Sequence, residues 1–329
     1  MSEHRGIVEL IRNSQKFLVA SHENPDADAI GSMLAMGLAL LLMDKDVYLY
    51  NKDGVPKVLS FLPGSDLVKS SIDKVTNDFD CTLIVDCTDP SRVGVDILSL
   101  IDSGRCGKVV IIDHHKTNKI SSDSCLLNPD SPSTGIIIYS LIKELHVNID
   151  TGIAINLYAT ILGDTGSFRY SNTSPEAFRV AAELVEHGAN PSEISQALYE
   201  SETEERLRLI SLALSTLEIS KDGRIASVVL NKEMYSMTGT TREDTDGIVN
   251  LPRSIKGIEV AILFNELERI NVNESRWKIS LRSKGYVDVS RVAELFCGGG
   301  HERAAGCTIK GSLNEVKQKL FSVLNKIYT

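Results

Sequence analysis

The chain of 329 residues is long enough for two domains, and its 42% hydrophobic and 24% charged residues are typical of a globular protein. Its net charge of −9 argues against a protein that wraps long nucleic acid non-specifically, because such a protein needs basic surfaces. The longest apolar stretch, 27–43, is too short for a membrane span, and without a secretory signal or a CxxC pair we expect a protein of the reducing cytoplasm.

The first half of the chain alternates short apolar runs with helical patterns. Four runs are rich in Val, Ile and Leu without polar alternation, and they are predicted strands: 16–21, 46–50, 81–85 and 108–112. Helical patterns lie between and after these runs, at 29–43, 135–144 and 151–162. The alternation predicts βαβ units and an α/β domain with a mostly parallel, doubly wound sheet.

The rest of the chain predicts further helices and a smaller α+β unit. Pro175 and Pro191 each follow a good N-cap residue and so predict two helix starts. A connecting helix is predicted over 202–215. Later strands are predicted at 225–230, 259–265 and 277–283, and later helices at 289–296 and 313–327. We therefore expect a first domain over 1–190, a helical linker over 191–220 and a second domain over 221–329.

Charge is distributed unevenly between the two halves. Residues 221–329 carry 17 Lys and Arg against 13 Asp and Glu, whereas residues 1–220 carry 18 against 31. The second half is therefore mildly basic and the first is strongly acidic. This distribution suits a metal site in the first part of the chain and an anion-binding site in the second.

Acidic and imidazole side chains follow three of the predicted strands at the same structural position. In chain order they are His22, Asp26 and Asp28, then Asp86, then Asp113, His114 and His115. Ligands of an open parallel sheet bind beyond the carboxyl ends of its strands, so we expect these side chains in one crevice. A further acid, Asp164, ends the helical pattern 151–162 in a glycine-rich turn and is expected to join them.

This cluster predicts a two-metal site. Buried carboxylates are costly to desolvate and repel one another unless cations lie among them. Oxygen and nitrogen ligands without thiolate favour Mn²⁺, Mg²⁺ or iron over a structural zinc. Two metals about 3.5–4 Å apart that share a carboxylate could lower the pKa of a bound water from 15.7 towards about 7 and so supply the nucleophile for phosphoester hydrolysis. Taken singly, each residue is better explained as a loop histidine, a turn former or a helix cap, but their joint placement favours the metal site.

Four motifs of the first half resemble those of the DHH family of phosphoesterases. They read His22-Glu-Asn-Pro-Asp26-Ala-Asp28-Ala-Ile-Gly-Ser, Val-Asp86-Cys-Thr-Asp, Ile-Asp113-His114-His115 and Gly163-Asp164-Thr165-Gly166. Two later segments resemble the DHH-associated C-terminal domain: Arg282-Ser283-Lys284 and Cys297-Gly298-Gly299-Gly300-His301-Glu-Arg-Ala304-Ala305-Gly306. The matches extend from residue 22 to residue 306, and the two-domain build resembles the branch of nanoRNases and pAp phosphatases.

The resemblance implies a role for each residue of the cluster. One divalent ion would be held by His22, Asp26 and Asp86. A second ion would be held by four residues, with the shared one bridging: Asp28, Asp86, His114 and Asp164. His115 would face the phosphate of the substrate, and Asp113 would orient a neighbouring histidine from behind. The resemblance also implies that both ions are Mn²⁺ and that Asp86, Asp113 and His115 are catalytic.

The second domain is expected to bind an anion. Three consecutive glycines, Gly298, Gly299 and Gly300, let backbone N–H groups converge on a phosphate, and His301 can add a donor. Gly298 also fits the end of the predicted helix 289–296. By resemblance, Arg282 at the end of a strand would hold a phosphate.

A hydroxyl-bearing motif, Ser133-Thr134-Gly135, precedes the predicted helix 135–144. Ser133 suits an N-cap, whose side chain accepts from a backbone N–H group of the first turn. Its hydroxyl could instead contact the substrate, so it is also a candidate substrate-binding residue. The cap is the favoured interpretation.

The combined features predict hydrolysis of a phosphoester at the end of a very short nucleic acid or nucleotide. Expected substrates are oligoribonucleotides of a few residues, linear dinucleotides and pAp, with no long duplex and no membrane as partner, and a homodimer is left open. The 5% aromatic content and the acidic charge support a short substrate, because long single strands are bound by stacking platforms and basic grooves.

Four alternatives remain open. A cyclic-dinucleotide phosphodiesterase would share the same motifs. A processive exonuclease would need an added oligonucleotide-binding barrel, and an inorganic pyrophosphatase would bind pyrophosphate with basic residues rather than with the glycine motif. A nucleotide-binding regulator with a relict site would be expected to lose acidic ligands, which this chain retains.

Overall fold

In a computed structural model the chain divides into two units, Met1–Ser201 and Glu202–Thr329. The structure describes residues 2–72, 78–87, 89–115, 124–200, 202–271 and 274–328, and for residues 2, 3, 90, 301 and 325–328 it describes the backbone alone. The division falls inside the range predicted as a linker, 191–220. Among the helices so described, none combines the length and the apolar character that crossing a membrane would require.

The apolar runs of the first unit form the predicted parallel sheet. Its strands are β1 (Lys16–Ala20), β2 (Asp46–Tyr50), β3 (Val68–Lys69), β4 (Cys81–Val85), β5 (Lys108–Asp113) and β6 (Ser124–Leu127). They lie in the order β3-β2-β1-β4-β5-β6, and each neighbouring pair is parallel. The chain builds outwards in one direction from β1 and in the other from β4. The topological switch point therefore lies at the carboxyl ends of these two adjacent strands.

Helices cover both faces of this sheet. They are α1 (Ser2–Asn13), α2 (Ala27–Leu42), α3 (Val95–Asp102), α4 (Thr134–Glu144), α5 (Thr151–Asp164), α6 (Pro175–Glu186) and α7 (Pro191–Tyr199). Along β1, Phe17 and Val19 pack into a large core with α2, α4 and α5, whereas Leu18 and Ala20 pack into a smaller core with α3. Burial on both faces explains why the strand runs show no polar alternation.

Local capping chemistry sets several of the helix starts. Side chains of Ser174 and Asn190 accept from backbone N–H groups of α6 and α7, whose first residues are Pro175 and Pro191 as predicted. The helix predicted over 151–162 continues further, because α5 includes Asp164 in its last turn.

Helices α2 and α5 approach closely at Gly31. An added Cβ there would lie 2.6 Å from Thr160 Cγ2 and 2.7 Å from the carbonyl oxygen of Asn156. A glycine permits this contact between a helix backbone and its neighbour. The contact sets the first half of α2, which carries Asp28, against the helix that ends in Asp164.

The second unit is a mixed sheet with helices on both faces. Its strands are β7 (Glu218–Ile219), β8 (Ile225–Leu230), β9 (Val260–Asn271), β10 (Glu274–Ser283), β11 (Gly299–His301) and β12 (Ala304–Gly311). They lie in the order β11-β12-β10-β9-β8-β7, with β8 and β9 parallel and the other pairs antiparallel. Its helices are α8 (Glu204–Ser215), α9 (Lys232–Thr238), α10 (Asn250–Arg253), α11 (Val289–Glu294) and α12 (Leu313–Tyr328).

The two faces of this second sheet have different covers. Val260 and Ile262 of β9 pack into a core with α11 and α12, whereas Ala261 and Leu263 pack with Leu209 of α8. The predicted α/β domain followed by an α+β domain is therefore confirmed. The structure adds elements that the sequence patterns do not predict, among them α1, α3, β6 and β12.

Candidate metal centre

The loop from β1 to α2 supplies the first residues of the centre. Asp26 is the N-cap of α2, and its Oδ1 accepts from two backbone N–H groups of the first turn at 3.0 and 3.1 Å. Its Oδ2 takes no part in those bonds. His22 Nδ1 lies 2.8 Å from the carbonyl oxygen of Glu23, which leaves Nε2 directed at Asp86 Oδ2, 3.6 Å away.

Asp28 is buried in the first turn of α2 and is held from the opposite side by the start of α4. The Thr134 N–H donates to its Oδ2 at 2.7 Å, and the Gly135 N–H donates to its Oδ1 at 3.0 Å. Ser32 adds a hydroxyl bond to Oδ1 at 3.2 Å. Because the N-terminus of a helix favours negative charge, α4 orients both oxygens of Asp28 and favours its ionised form.

Asp86 lies between the imidazoles of His22 and His114. It follows β4 with a φ of +53°, in the left-handed region that L side chains rarely adopt. Its N–H donates to the carbonyl oxygen of Ile112 at 2.9 Å, and the Thr134 hydroxyl donates to its Oδ1 at 3.0 Å. These bonds hold a strained backbone and direct the buried carboxylate towards His22 and His114.

The end of β5 presents an acid that orients its own neighbours. Asp113 is fully buried, and its Oδ1 accepts from the backbone N–H groups of His114 and His115. The same oxygen accepts from His115 Nδ1 at 2.7 Å. His115 is therefore fixed through Nδ1, and its Nε2 belongs to an imidazole whose side chain is 46% exposed.

His114 faces the opposite way, into the carboxylates. Its Nδ1 lies 3.1 Å from the carbonyl oxygen of Ser131. Its Nε2 lies 3.1 Å from Asp164 Oδ2, 3.6 Å from Asp28 Oδ2 and 3.8 Å from Asp86 Oδ1. Asp164 reaches this position from the last turn of α5.

The donor atoms group into overlapping sets, each compact enough for one metal ion. Within each set the ligand atoms lie within 4.8 Å of one another. The sets are His22, Asp26 and Asp86; Asp28, His114 and Asp164; and Asp86, His114 and His115. Asp86 thus belongs to two sets, and the six residues expected as ligands come together at the switch point of the sheet.

The protonation pattern of the cluster fits a divalent cation. A carbonyl oxygen accepts only, so the Nδ1 atoms of His22 and His114 that face carbonyls must carry the proton. Both Nε2 atoms are then lone-pair donors that face carboxylate oxygens, and such an arrangement needs a cation or an extra proton between them. Because the donors are oxygen and nitrogen, the cluster could hold divalent metal ions.

Without a cation, the negatively charged carboxylates of the cluster repel one another, and the pKa values of its members shift. Burial, and then the charges of Asp86 and Asp164, raise the pKa of Asp28 well above its usual range. Burial lowers the pKa of His114, but its hydrogen bond to Asp164 and the charges of Asp164 and Asp86 outweigh that effect and raise it to about 9. The metal-free cluster therefore retains protons that metal ions would displace.

Ser133, favoured as an N-cap and also a candidate for a substrate contact, lies at the start of α4. Ser133 is fully buried, and its hydroxyl caps α4 by accepting from the Ile136 N–H at 3.4 Å. The cap therefore accounts for Ser133, and its buried hydroxyl is not available to a substrate. Its neighbour Thr134, which the sequence suggested only as part of the same motif, donates its hydroxyl to Asp86.

Arg92 is a second residue that sequence reasoning misses. It lies in the turn after β4, and its guanidinium Nη2 is 3.2 Å from His22 Nδ1. A single arginine six residues after Asp86 carries no motif of its own, so only its place behind an acidic strand end could have suggested it.

The second unit holds the other predicted residues. An added Cβ on Gly298 would lie 2.2 Å from the carbonyl oxygen of Gly306, so this glycine permits a close backbone contact. Gly299 is exposed, with nothing within 4 Å of such an atom, and Gly300 has a φ of +144°. These two glycines leave an accessible backbone along the edge strand β11.

Arg282 lies on β10, in the same cross-strand row as His301. Arg282 pairs with Ala304 of β12, and Ala304 pairs in turn with His301 of β11. Burial lowers the pKa of Arg282, whose Nη1 donates to the carbonyl oxygen of Leu281 at 3.0 Å. The side chain of His301 lies outside the described part of the structure.

Known proteins resemble this chain over almost its whole length. Residues 16–162 match the DHH family, N-terminal domain, and residues 223–328 match the DHHA1 domain. The bifunctional oligoribonuclease and PAP phosphatase NrnA of Thermus thermophilus is 32% identical over 314 residues, which cover 94% of this chain and 90% of that protein. The protein of the same name from Bacillus subtilis is 29% identical over 313 residues, 92% of each chain.

A solved structure has the same fold in both units. The crystal structure of an exopolyphosphatase-related protein from Bacteroides fragilis matches 100% of this chain and 98% of its own, with a TM-score of 0.88 and 27% identity. The resemblance drawn from the motifs is thereby confirmed. With both domain matches and a 32% identical relative, this chain belongs to the DHH family of phosphoesterases, among the members that carry a DHHA1 domain.

Proposed function

We propose that this chain hydrolyses short oligoribonucleotides, linear dinucleotides and pAp with two Mn²⁺ ions, in the cytoplasm. The observation that carries the proposal is the group of overlapping donor sets at the switch point of the first unit, in which Asp86 and His114 each belong to two sets. The relatives named oligoribonuclease and PAP phosphatase support the substrate class.

The residues that would hold the ions are drawn from these overlapping donor sets. His22, Asp26 and Asp86 would hold one ion, and Asp28, Asp86, His114 and Asp164 the other. Bound there, the ions supply a hydroxide at neutral pH and neutralise phosphoryl oxygens. The chain itself contributes orientation, since α4 and Thr134 fix the carboxylates of Asp28 and Asp86 by direct hydrogen bonds.

His115 would contact the reacting phosphate. Its hydrogen bond to Asp113 raises the pKa of the imidazole and leaves the exposed Nε2 as the donor. In its protonated form this imidazole can donate a proton to the oxygen that leaves phosphorus. Asp113 would act through His115, as a positioning residue.

The second unit would bind the remainder of the nucleotide. The exposed backbone of Gly299 and Gly300, the partly buried Arg282, and His301 are the residues proposed for this task, while Gly298 supports the strand contact. The basic balance of residues 221–329 supports the binding of an anion there.

A substrate panel tests this proposal. The purified chain would be given Mn²⁺ or Mg²⁺ with pAp, pApA, a five-residue RNA, a 24-residue RNA, a cyclic dinucleotide and pyrophosphate. We expect Mn²⁺-dependent release of mononucleotides, with the short RNAs and pAp preferred over the 24-residue RNA. Asp86→Asn is the matched inactive control, because asparagine tolerates the left-handed backbone at this position. Faster turnover of pyrophosphate or of the cyclic dinucleotide than of every linear nucleotide would refute the proposal.

A further inference from the structure

Arg92 places a positively charged guanidinium group beside the metal ligands, but it cannot itself bind a metal ion. It stands in the turn that follows Asp86, and its partly buried side chain reaches the imidazole of His22. We propose that Arg92 binds the phosphoryl oxygens of the substrate beside the metal centre. This assignment rests on the proposed function and adds a residue to it.

The contact between Arg92 and His22 cannot be a hydrogen bond when His22 binds a metal through Nε2. His22 Nδ1 faces the carbonyl oxygen of Glu23 at 2.8 Å and must carry its proton when Nε2 binds a metal. The Arg92 Nη2 atom, 3.2 Å away, is also a donor, because a guanidinium has no acceptor. Two donors cannot bond to each other, so metal binding at His22 leaves Arg92 without a partner there.

Among the residues that the structure describes, no acidic side chain forms an ion pair with the Arg92 guanidinium. Over the ranges that the structure describes, no Asp or Glu oxygen lies within 4.0 Å of the Arg92 guanidinium. The neighbouring cation Lys52 is different, because its Nζ pairs with Glu23 Oε2 at 3.2 Å. Arg92 therefore offers unused N–H donors beside a metal ligand, in a partly buried position.

The backbone at Arg92 is anchored by two hydrogen bonds. The carbonyl oxygen of Arg92 accepts from the Glu23 N–H at 2.7 Å, and its own N–H donates to the carbonyl of Asp89 at 3.0 Å. The first bond ties the turn after β4 to the loop after β1, and the second closes the turn itself. A guanidinium presented from an anchored turn can bind two phosphoryl oxygens at once and stabilise the charge that develops on them.

The test compares Arg92→Gln with Arg92→Lys and with the control Lys52→Gln. The control removes one positive charge close to the same loop, yet its ammonium is already paired. We expect Arg92→Gln to lower kcat/KM for pApA by about 10²–10³-fold, as loss of one charge-stabilising donor does. Arg92→Lys should recover part of the rate, because lysine keeps the charge but not the fork. Lys52→Gln should stay close to wild type.

Two calorimetric titrations separate substrate binding from a structural role. In the Mn²⁺-loaded protein, Arg92→Gln should bind inorganic phosphate at least about tenfold more weakly than wild type. Its affinity for Mn²⁺ should be unchanged, since Arg92 is not a ligand. A parallel loss of Mn²⁺ affinity would mean that Arg92 supports His22 instead and would overturn the assignment. Equal loss of phosphate affinity in Lys52→Gln would overturn it as well, because the effect would then be one of net charge.

The phosphate titration also distinguishes failure of the role of Arg92 from failure of the proposed function. If wild type hydrolyses none of the nucleotides, the substrate proposal fails, while phosphate binding still reports on Arg92. If wild type hydrolyses pApA and Arg92→Gln does so equally well, the proposed function stands and the role of Arg92 is refuted.

Discussion

Asp86 occupies a left-handed backbone conformation, which glycine adopts more readily than a residue with a side chain. A strained residue persists only where its surroundings hold it, and here the holders are the Ile112 carbonyl and the Thr134 hydroxyl. The hydroxyl is 48 positions away in sequence. Residue by residue, the centre is thus a set of carboxylates whose orientation comes from partners outside their own motifs.

The Thr134 hydroxyl gives a prediction at this scale. Thr134→Val removes the bond to Asp86 Oδ1 while keeping the shape of the side chain, so the carboxylate loses one of its supports. We expect Mn²⁺ affinity to fall by about 10–100-fold, as it does when a group behind a metal ligand is removed. Isothermal titration measures the affinity, and Thr134→Ser, which keeps the hydroxyl, should bind Mn²⁺ as wild type does. Equal affinities for the valine and wild-type proteins would contradict this role.

The shifted pKa values of the cluster predict how stability depends on pH without metal. The pKa of His114 is raised from its ordinary 6.5 to about 9, so its contribution is complete below pH 6.5 and is lost as the pH rises to about 9. The raised pKa of buried Asp28 acts in the same direction, because its protonated form is favoured in the fold. The melting temperature of chelator-treated protein should therefore fall between pH 6.5 and pH 9.

Saturating Mn²⁺ supplies the control for this pH series. Metal ions replace the protons of the cluster, so the stabilisation that they add should grow as the pH rises over the same interval. Differential scanning calorimetry with and without metal measures both trends. A melting temperature of the metal-free protein that rises across this interval would show that the cluster does not titrate as its surroundings imply.

At the scale of elements, helix α4 is aimed at the carboxylate of a different helix. Its first two N–H groups donate to the oxygens of Asp28, more than one hundred positions away in sequence. Its start is also pressed against α5, since an added Cβ on Gly135 would lie 1.8 Å from Thr160 Oγ1. The direction of α4 and its fit against α5 together place the charge-stabilising end of the helix.

Gly135→Ala tests this fit. The new methyl group would force α4 and α5 apart, so we expect a loss of about 1–3 kcal/mol in the free energy of unfolding together with weaker Mn²⁺ binding. Urea denaturation of the chelator-treated protein measures the first effect, and titration measures the second. Gly6→Ala in α1 is the control, because nothing lies within 4 Å of its added Cβ, and it should stabilise the protein by about 0.5–1 kcal/mol. A Gly135→Ala protein as stable as wild type would show that α4 tolerates displacement.

On the scale of the whole molecule, each unit contains its own hydrophobic cores. Helix α8, which the sequence analysis placed in a linker, covers one face of the second sheet. Its Leu209 and Ala213 are fully buried against strand residues such as Val228. The second unit therefore needs α8 to bury both faces of its sheet.

Two fragments test where the second unit begins. A fragment of residues 202–329 retains α8, whereas a fragment of residues 221–329 lacks α8 and exposes the face that contains Val228 and Leu263. We expect a single cooperative urea transition for the longer fragment, and aggregation or a broad transition for the shorter one. Circular dichroism and light scattering distinguish them. Equally cooperative unfolding of both fragments would place the start of the unit at residue 221.

Much of the fold follows from local patterns that the sequence shows directly. The strands β1, β2, β4 and β5 coincide with apolar runs, because residues buried on both faces of a parallel sheet leave no polar alternation. The starts of α6 and α7 follow from a cap and a proline side by side. Edge elements such as β6 are not predicted, since their partly exposed residues carry weaker patterns.

The sequence by itself determined the family, the parallel sheet and the residues that gather at its switch point, because motif residues at strand ends are local features of the chain. Tertiary structure decided which groups surround these residues. Thr134 contacts Asp86, whereas the hydroxyl of Ser133 caps a helix. Helix α4 donates to Asp28, and Arg92 reaches His22. Each of these contacts joins residues that are 48 to 107 positions apart, except for the cap. Contacts over such separations depend on the order of strands and the packing of helices, which no local pattern encodes.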